Sequence, residues 1–107
     1  MGPKPYELLP YTIKIAGCPK ICINRNTLEV KVGDVLMQFT ALEMLDFVSL
    51  AEAAEKGQSV YYGPISGAEA SCARQRIRRL RNRLRKLGAP LEIASRGDAH
   101  YELVPSC

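Results

Sequence analysis

No aspartate or glutamate occurs between Glu69 and Glu92, yet eight of the fifteen lysine and arginine residues fall between Arg74 and Lys86. A helix shaped only for solubility alternates charge signs, because like charges four residues apart repel by about a few tenths of a kcal/mol per pair. Arg74/Arg78 and Arg81/Arg85 tolerate that repulsion, which makes sense for a segment that meets a polyanion, nucleic acid foremost. Long apolar runs are missing as well. Nothing approaches the roughly 18 uninterrupted apolar residues of a membrane span, and Met1-Gly-Pro-Lys-Pro5 lacks the apolar core of a signal peptide. The expectation is a cytoplasmic, nucleoid-associated chain with no membrane contact.

Clusters that carry chemistry are scarce. Cys18, Cys22, Cys72 and Cys107 lack the tight C-x2-C pairs of zinc sites and read as reduced thiols with small apolar roles. His100 is the one histidine and reads as a surface residue, not a ligand or base. Glu43 reads as a helix cap, not a catalytic acid. No segment resembles a nucleophile–base pair, a phosphate-cradling glycine loop or a metal cluster. An enzyme, a metal site and a cofactor are therefore not expected.

What is present fits one domain. The 107 residues suffice for one hydrophobic core, and 47% apolar with 24% charged residues are globular values. The net charge of +4 is unevenly distributed: residues 1–70 hold six Lys/Arg against eight acids, and residues 71–107 hold nine against three. The domain 1–107 divides into an arm (1–10), an antiparallel sheet (11–39) and a part with helices and a hairpin (40–104).

Tyr11–Ala16, Lys20–Asn24, Thr27–Val32 and Val35–Phe39 alternate apolar and polar residues, the period of half-buried strands. Tight turns at Gly17-Cys-Pro19, Asn24-Arg-Asn26 and Gly33-Asp34 leave no room for parallel crossovers. Gly33-Asp34, with glycine first, suits a type II′ hairpin. At Thr40 the period lengthens. Thr40-Ala-Leu-Glu43 forms a capping box, with Leu42, Leu45, Phe47, Val48 and Ala51 as the apolar face of a helix that Gly57 ends. Gln58–Ile65 reads as a loop or short extended segment. Ser66-Gly-Ala-Glu69 repeats the box and opens the basic helix, which ends at Gly88. Leu91–Ser95 and His100–Val104, around Arg96–Ala99, make a hairpin.

Within the basic helix, Ala73, Ile77, Leu80, Leu84 and Leu87 fall on one stripe, at about 100° per residue. Gln75, Arg78, Arg79, Asn82, Arg85 and Lys86 lie opposite. Guanidinium and amide side chains interleaved in this way hydrogen-bond both phosphates and base edges.

Phe39-Thr-Ala-Leu-Glu43, Ile77-Arg-Arg-Leu-Arg-Asn-Arg-Leu84 and Arg96-Gly97 before Tyr101 resemble the OmpR/PhoB-type winged-helix DNA-binding domain over about residues 11–104. The resemblance implies an α+β winged helix-turn-helix with an N-terminal four-stranded antiparallel sheet and a C-terminal β-hairpin wing. It implies a sequence-specific regulator of transcription, bacterial or phage, that binds double-stranded DNA. The helix of about 67–87 would lie in the major groove and the wing, 95–101, near the minor groove. By position, Arg79 resembles the base-reading arginine, Arg74 and Gln75 approach base edges, and Arg76, Arg78 and Arg81 clamp phosphates. Asn82 and Arg85 extend the helix face, and Arg96 and His100 belong to the wing.

Two departures stand out. Only about ten residues separate Gly57 from the second capping box, so the family's middle helix is shortened, and Tyr61 and Tyr62 are expected to plug the gap it leaves, with stacking on bases as the alternative. The wing Arg96-Gly-Asp-Ala-His-Tyr101 lacks a second glycine; a receiver domain is not expected. Tight specific binding by so small a module implies a homodimer or tandem sites on DNA. The alternative reading is a winged-helix adaptor that binds RNA polymerase or another regulator through its sheet or the Tyr61–Ile65 loop. Sequence-independent coating of nucleic acid is a third.

Overall fold

The computed structural model describes residues 10–62, 67–97 and 99–106, with the side chains of 67–73 outside the description. Strands β1 (Tyr11–Ile13), β2 (Ile21–Asn24), β3 (Glu29–Val32) and β4 (Val35–Gln38) form an antiparallel sheet in chain order. Helix α1 (Ala41–Glu55), strand β5 (Val60–Tyr61), helix α2 (Gly67–Lys86) and strands β6 (Leu91–Ser95) and β7 (His100–Pro105) follow. The last three strands make a second sheet in the order β5-β7-β6. The architecture is a mixed α+β fold with two helices among the described residues.

Alternation in the first sheet sets its two faces. Ile13, Ile21, Ile23, Val30, Val32 and Met37 point into the core. Thr12, Cys22, Lys31 and Leu36 are exposed and lie side by side in register across the four strands. At the β3–β4 turn Val32 pairs with Val35, and Gly33 has φ +60° while Asp34 keeps a negative φ, the pattern of the expected II′ turn. A Cβ on Gly33 would also stand 3.2 Å from Pro19 Cβ. Strand ends differ from the sequence reading. β1 stops at Ile13, because a turn closed by Cys18 N–H to Ile15 O (3.0 Å) takes over. β3 starts at Glu29 because Leu28 sits at φ 61°, while Asn24 Oδ1 accepts the Asn26 and Thr27 amides.

The capping box at the start of α1 is complete: Thr40 Oγ1 accepts the Glu43 amide and Glu43 Oε1 accepts the Thr40 amide. Lys56 caps the other end and Gly57 follows at φ 72°, a backbone conformation that a side chain disfavours. The expected apolar face of α1 needs correction. Met44, Phe47, Leu50 and Ala51 face the core, Val48 is half-buried, and Leu42 and Leu45 are 44% and 64% exposed. At about 100° per residue, Leu42 and Leu45 lie opposite Phe47 and Ala51, so the five expected residues never shared one side.

Ile77, Leu80 and Leu84 of α2 are buried as the stripe predicts, and Leu87 is 36% exposed. Ala73 and the Ser66 cap lie outside the described side chains and residues, respectively. Among the described residues only β5 separates α1 from α2; residues 63–66 fall outside. Val60 pairs with Tyr101 and Tyr61 with His100, so of the two readings of Gln58–Ile65, loop or short extended segment, its described part contributes a short strand to the second sheet. Cys18 is buried and Cys22 exposed, both as free thiols. No described helix is long and apolar enough to cross a membrane.

Candidate nucleic-acid interface

Helix α2 spans 20 residues, about 30 Å at 1.5 Å per residue. Its buried stripe fixes its rotation, and the polar side chains described on it fall into three groups.

The first group faces α1 and β4. Arg76 donates to the Asp46 carboxylate through Nη2 (2.6 Å) and Nε (3.2 Å), and Tyr62 Oη donates to the same carboxylate at 3.2 Å. Asp46 is only 3% exposed and is the one buried charged or polar residue among those described. Arg83 Nη2 donates to Gln38 O at 2.9 Å, and its Nε lies 3.7 Å from Glu43 Oε1. Glu43 thus both caps α1 and partly neutralises α2. Arg83 Nε is buried with no hydrogen bond among the described residues.

The second group faces the β6–β7 hairpin. Arg81 grips β6, donating to Ile93 O through Nε (3.2 Å) and Nη2 (3.0 Å), with Ser95 Oγ at 3.3 Å. The carbonyl it satisfies belongs to a strand with a partner on one side only, so Arg81 closes part of an open sheet edge. Beside it a groove of about 450 Å³ is lined by Arg74, Arg78, Arg81, Asn82, Arg85 and Tyr101, with Ile77 at its base.

The third group points to solvent. Arg74, Gln75, Arg78, Arg79, Asn82, Arg85 and Lys86 are all exposed. Among the described residues no carboxylate lies within 4.0 Å of Arg74, Arg78, Arg79, Arg85 or Lys86. Five such cations share one helix face, and their attraction for an anionic ligand is strongest at low salt. On the α1 side, Arg79 borders a second hollow of about 160 Å³ with Thr40, Leu42, Glu43, Asp46 and Arg76.

The expected site residues therefore separate. Arg76 and Arg81, expected as phosphate clamps, have guanidinium groups that internal acceptors, Asp46 and Ile93 O, already engage. Arg96 is half-exposed and bonded to Glu102 at 3.3 Å. His100 is half-buried: its ring packs tilted against Tyr61 at 5.1 Å, and Nδ1 lies 3.3 Å from Ser59 Oγ. The turn between them places Gly97 at φ 83° and Ala99 at φ 62°; Asp98 lies outside the described residues. Of the two tyrosines expected as a plug, Tyr62 is half-buried and packed edge-on against Tyr101 at 6.0 Å, whereas Tyr61 is 61% exposed. Sequence reasoning missed Asp46 entirely. Its signal was present, an acid among the apolar residues of α1 in a chain whose other helix carries arginines at so many positions.

Burial raises the Tyr62 phenol well above its ordinary value, Asp46 adds to the shift, and Arg76 opposes it. The unfolded chain releases this proton near pH 10 while the folded chain retains it. The contribution is thus intact below about pH 10 and is lost as pH rises further, by at most about 1.4 kcal/mol per pH unit for each proton released. Burial also raises Tyr11 and Cys18, so part of the alkaline loss is theirs. Tyr62→Phe is expected to shrink the drop in stability between about pH 8 and about pH 11, measured by urea unfolding. An unchanged drop would show that the Tyr62 phenol is not held neutral by the fold.

Neither protein-family models, curated proteins nor solved structures match this chain. The site is therefore read from its own geometry. Among the described residues no group of three or more His, Cys, Asp or Glu is placed to hold a metal ion.

Proposed function

We propose that this chain is a sequence-specific double-stranded DNA-binding protein of winged helix-turn-helix type, a regulator of transcription that works by binding and not by catalysis. In this reading α2 enters the major groove, and the β6–β7 hairpin is a wing beside the neighbouring backbone. The observation that carries it is the solvent face of α2: five cations without described carboxylate partners interleaved with two exposed amides on a core-anchored rod. Three further features support it. Arg76, Arg81 and Arg83 fix the rod's rotation, so its outer face is preorganised. The rod is slim enough for the major groove, about 12 Å wide. The groove between α2 and β7 is lined by arginines that match a phosphodiester backbone.

Duplex titration of the full chain tests the proposal. Micromolar or tighter binding to a selected site is expected, and Arg79→Ala is expected to weaken it by about fivefold to 100-fold, depending on whether Arg79 reads a base or a phosphate. Failure to bind any duplex at low salt would overturn it.

A second reading has its own observation. Leu42 and Leu45 stand exposed one turn apart on the outer side of α1, an arrangement suited to an adaptor that docks RNA polymerase or another regulator. Retention of a protein partner by Arg79→Ala, with no duplex binding in either form, would favour that reading.

A further inference from the structure

The solvent face of α2 is not uniformly cationic. Around the helix axis, the direction opposite the buried stripe of Ile77, Leu80 and Leu84 is occupied by Gln75, Asn82 and Lys86 (about 100° per residue). Arg74, Arg78 and Arg85 flank this crest on the hairpin side, where they line the groove with Arg81. Arg79 flanks it on the α1 side, beside Thr40 and Leu42. Gln75 and Asn82 are seven residues apart, so they point the same way to within about 20° and are separated by about 10.5 Å along the axis. Both are exposed, and neither makes a hydrogen bond among the described residues. By contrast, Asn24 and Gln38 are engaged inside the fold, the first closing a turn and the second donating to Thr27 O at 2.7 Å.

A helix that only grips phosphates gains most from cations along its crest, because the attraction is electrostatic and indifferent to sequence. Here the crest carries two carboxamides with one cation, Lys86, at its C-terminal end, and the four exposed arginines lie to either side. A carboxamide holds a donor and an acceptor in one plane, the complement of adenine N7 and N6–H2 in the major groove. Flanking arginines at the height of the two backbones would leave the amides facing the base edges between them. We infer that Gln75 and Asn82 are the specificity-determining pair of this interface, each reading one adenine. Their separation corresponds to about three base-pair steps of about 3.4 Å. This inference rests on the duplex-binding reading above and names the class of site that reading leaves open.

The test is selection of bound duplexes from a random pool by the full chain and by its Gln75→Ala and Asn82→Ala variants. The expected wild-type site holds two adenines at a fixed separation of about three steps, each enriched about fivefold or more over other bases. Gln75→Ala randomises one of these positions and Asn82→Ala the other. Each lowers affinity for the selected site about fivefold to 100-fold and affinity for a scrambled duplex by less, so the ratio of the two affinities falls. Both positions are exposed, so matching thermal melts confirm that the variants are folded, and a merely structural role would not move the base preference at a single position. Wild-type preferences retained by both variants, or a selected site without the adenine pair, overturn the inference alone. If the wild type retains no duplex from the pool, the duplex-binding reading falls and takes the inference with it.

Discussion

Alanine at Arg74, Arg78 and Arg85 together is expected to lower duplex affinity by about two to three orders of magnitude at about 0.1 M salt. These three line the groove between α2 and β7, and no described carboxylate holds any of them. Each phosphate neutralised on duplex DNA adds about 0.9 to the slope of log affinity against log salt, because condensed counterions are released. Removing three contacts therefore costs about 2.7 decades between 1 M and 0.1 M salt. Folding should not suffer. The three side chains are exposed, alanine is the strongest helix former, and the Arg74/Arg78 repulsion disappears. The check is a fluorescence-anisotropy titration beside a thermal melt. A variant that melts like the wild type and binds duplex equally well would remove the groove from the interface.

Arg76→Met is expected to destabilise the fold by about 2–4 kcal/mol without touching the exposed face of α2. The loss arises at Asp46, which is 3% exposed and is held by two guanidinium donors and the Tyr62 hydroxyl. Without Arg76, a buried carboxylate keeps one neutral donor. Breaking a fully buried pair costs about 3–5 kcal/mol. Because the Arg76 side chain is 37% exposed, water reaches the vacated position and moderates the penalty. The melting temperature should fall by about 10–25 °C for a domain of this size. Replacing both partners, Asp46→Leu with Arg76→Met, should recover most of the loss, since no buried charge is then left unpaired. A single-variant loss below about 1 kcal/mol would mean that Asp46 and Arg76 contribute little to fixing α2.

Much of the backbone was legible in the chain. Thr40 and Glu43 reported the start of α1, Gly33-Asp34 the hairpin turn, and the 4, 3, 4, 3 spacing from Ala73 to Leu87 the helical period of α2. These signals are local: a cap, a φ preference or a repeat is decided within a few residues. What stayed hidden depends on packing between distant segments. Leu42 and Leu45 look like core residues until the sheet chooses the Met44–Phe47–Ala51 side of α1. Arg76, Arg81 and Arg83 are indistinguishable from Arg78 and Arg85 by residue type. Their helical phase places them at the flanks of the stripe, but only Asp46, Ile93 O and Gln38 O, supplied by other elements, turn a flank into a tether. The candidate interface was thus legible as a helix face, and its division into tethers, groove and crest was not.

The salt dependence of duplex binding by the wild-type chain tests the central claim most directly. Five exposed cations on α2 (Arg74, Arg78, Arg79, Arg85 and Lys86) imply a log–log slope of about −4 to −5 per bound copy, at about 0.9 per phosphate. A slope near zero, or affinity that survives about 1 M salt unchanged, would contradict a helix built to lie against a phosphate backbone.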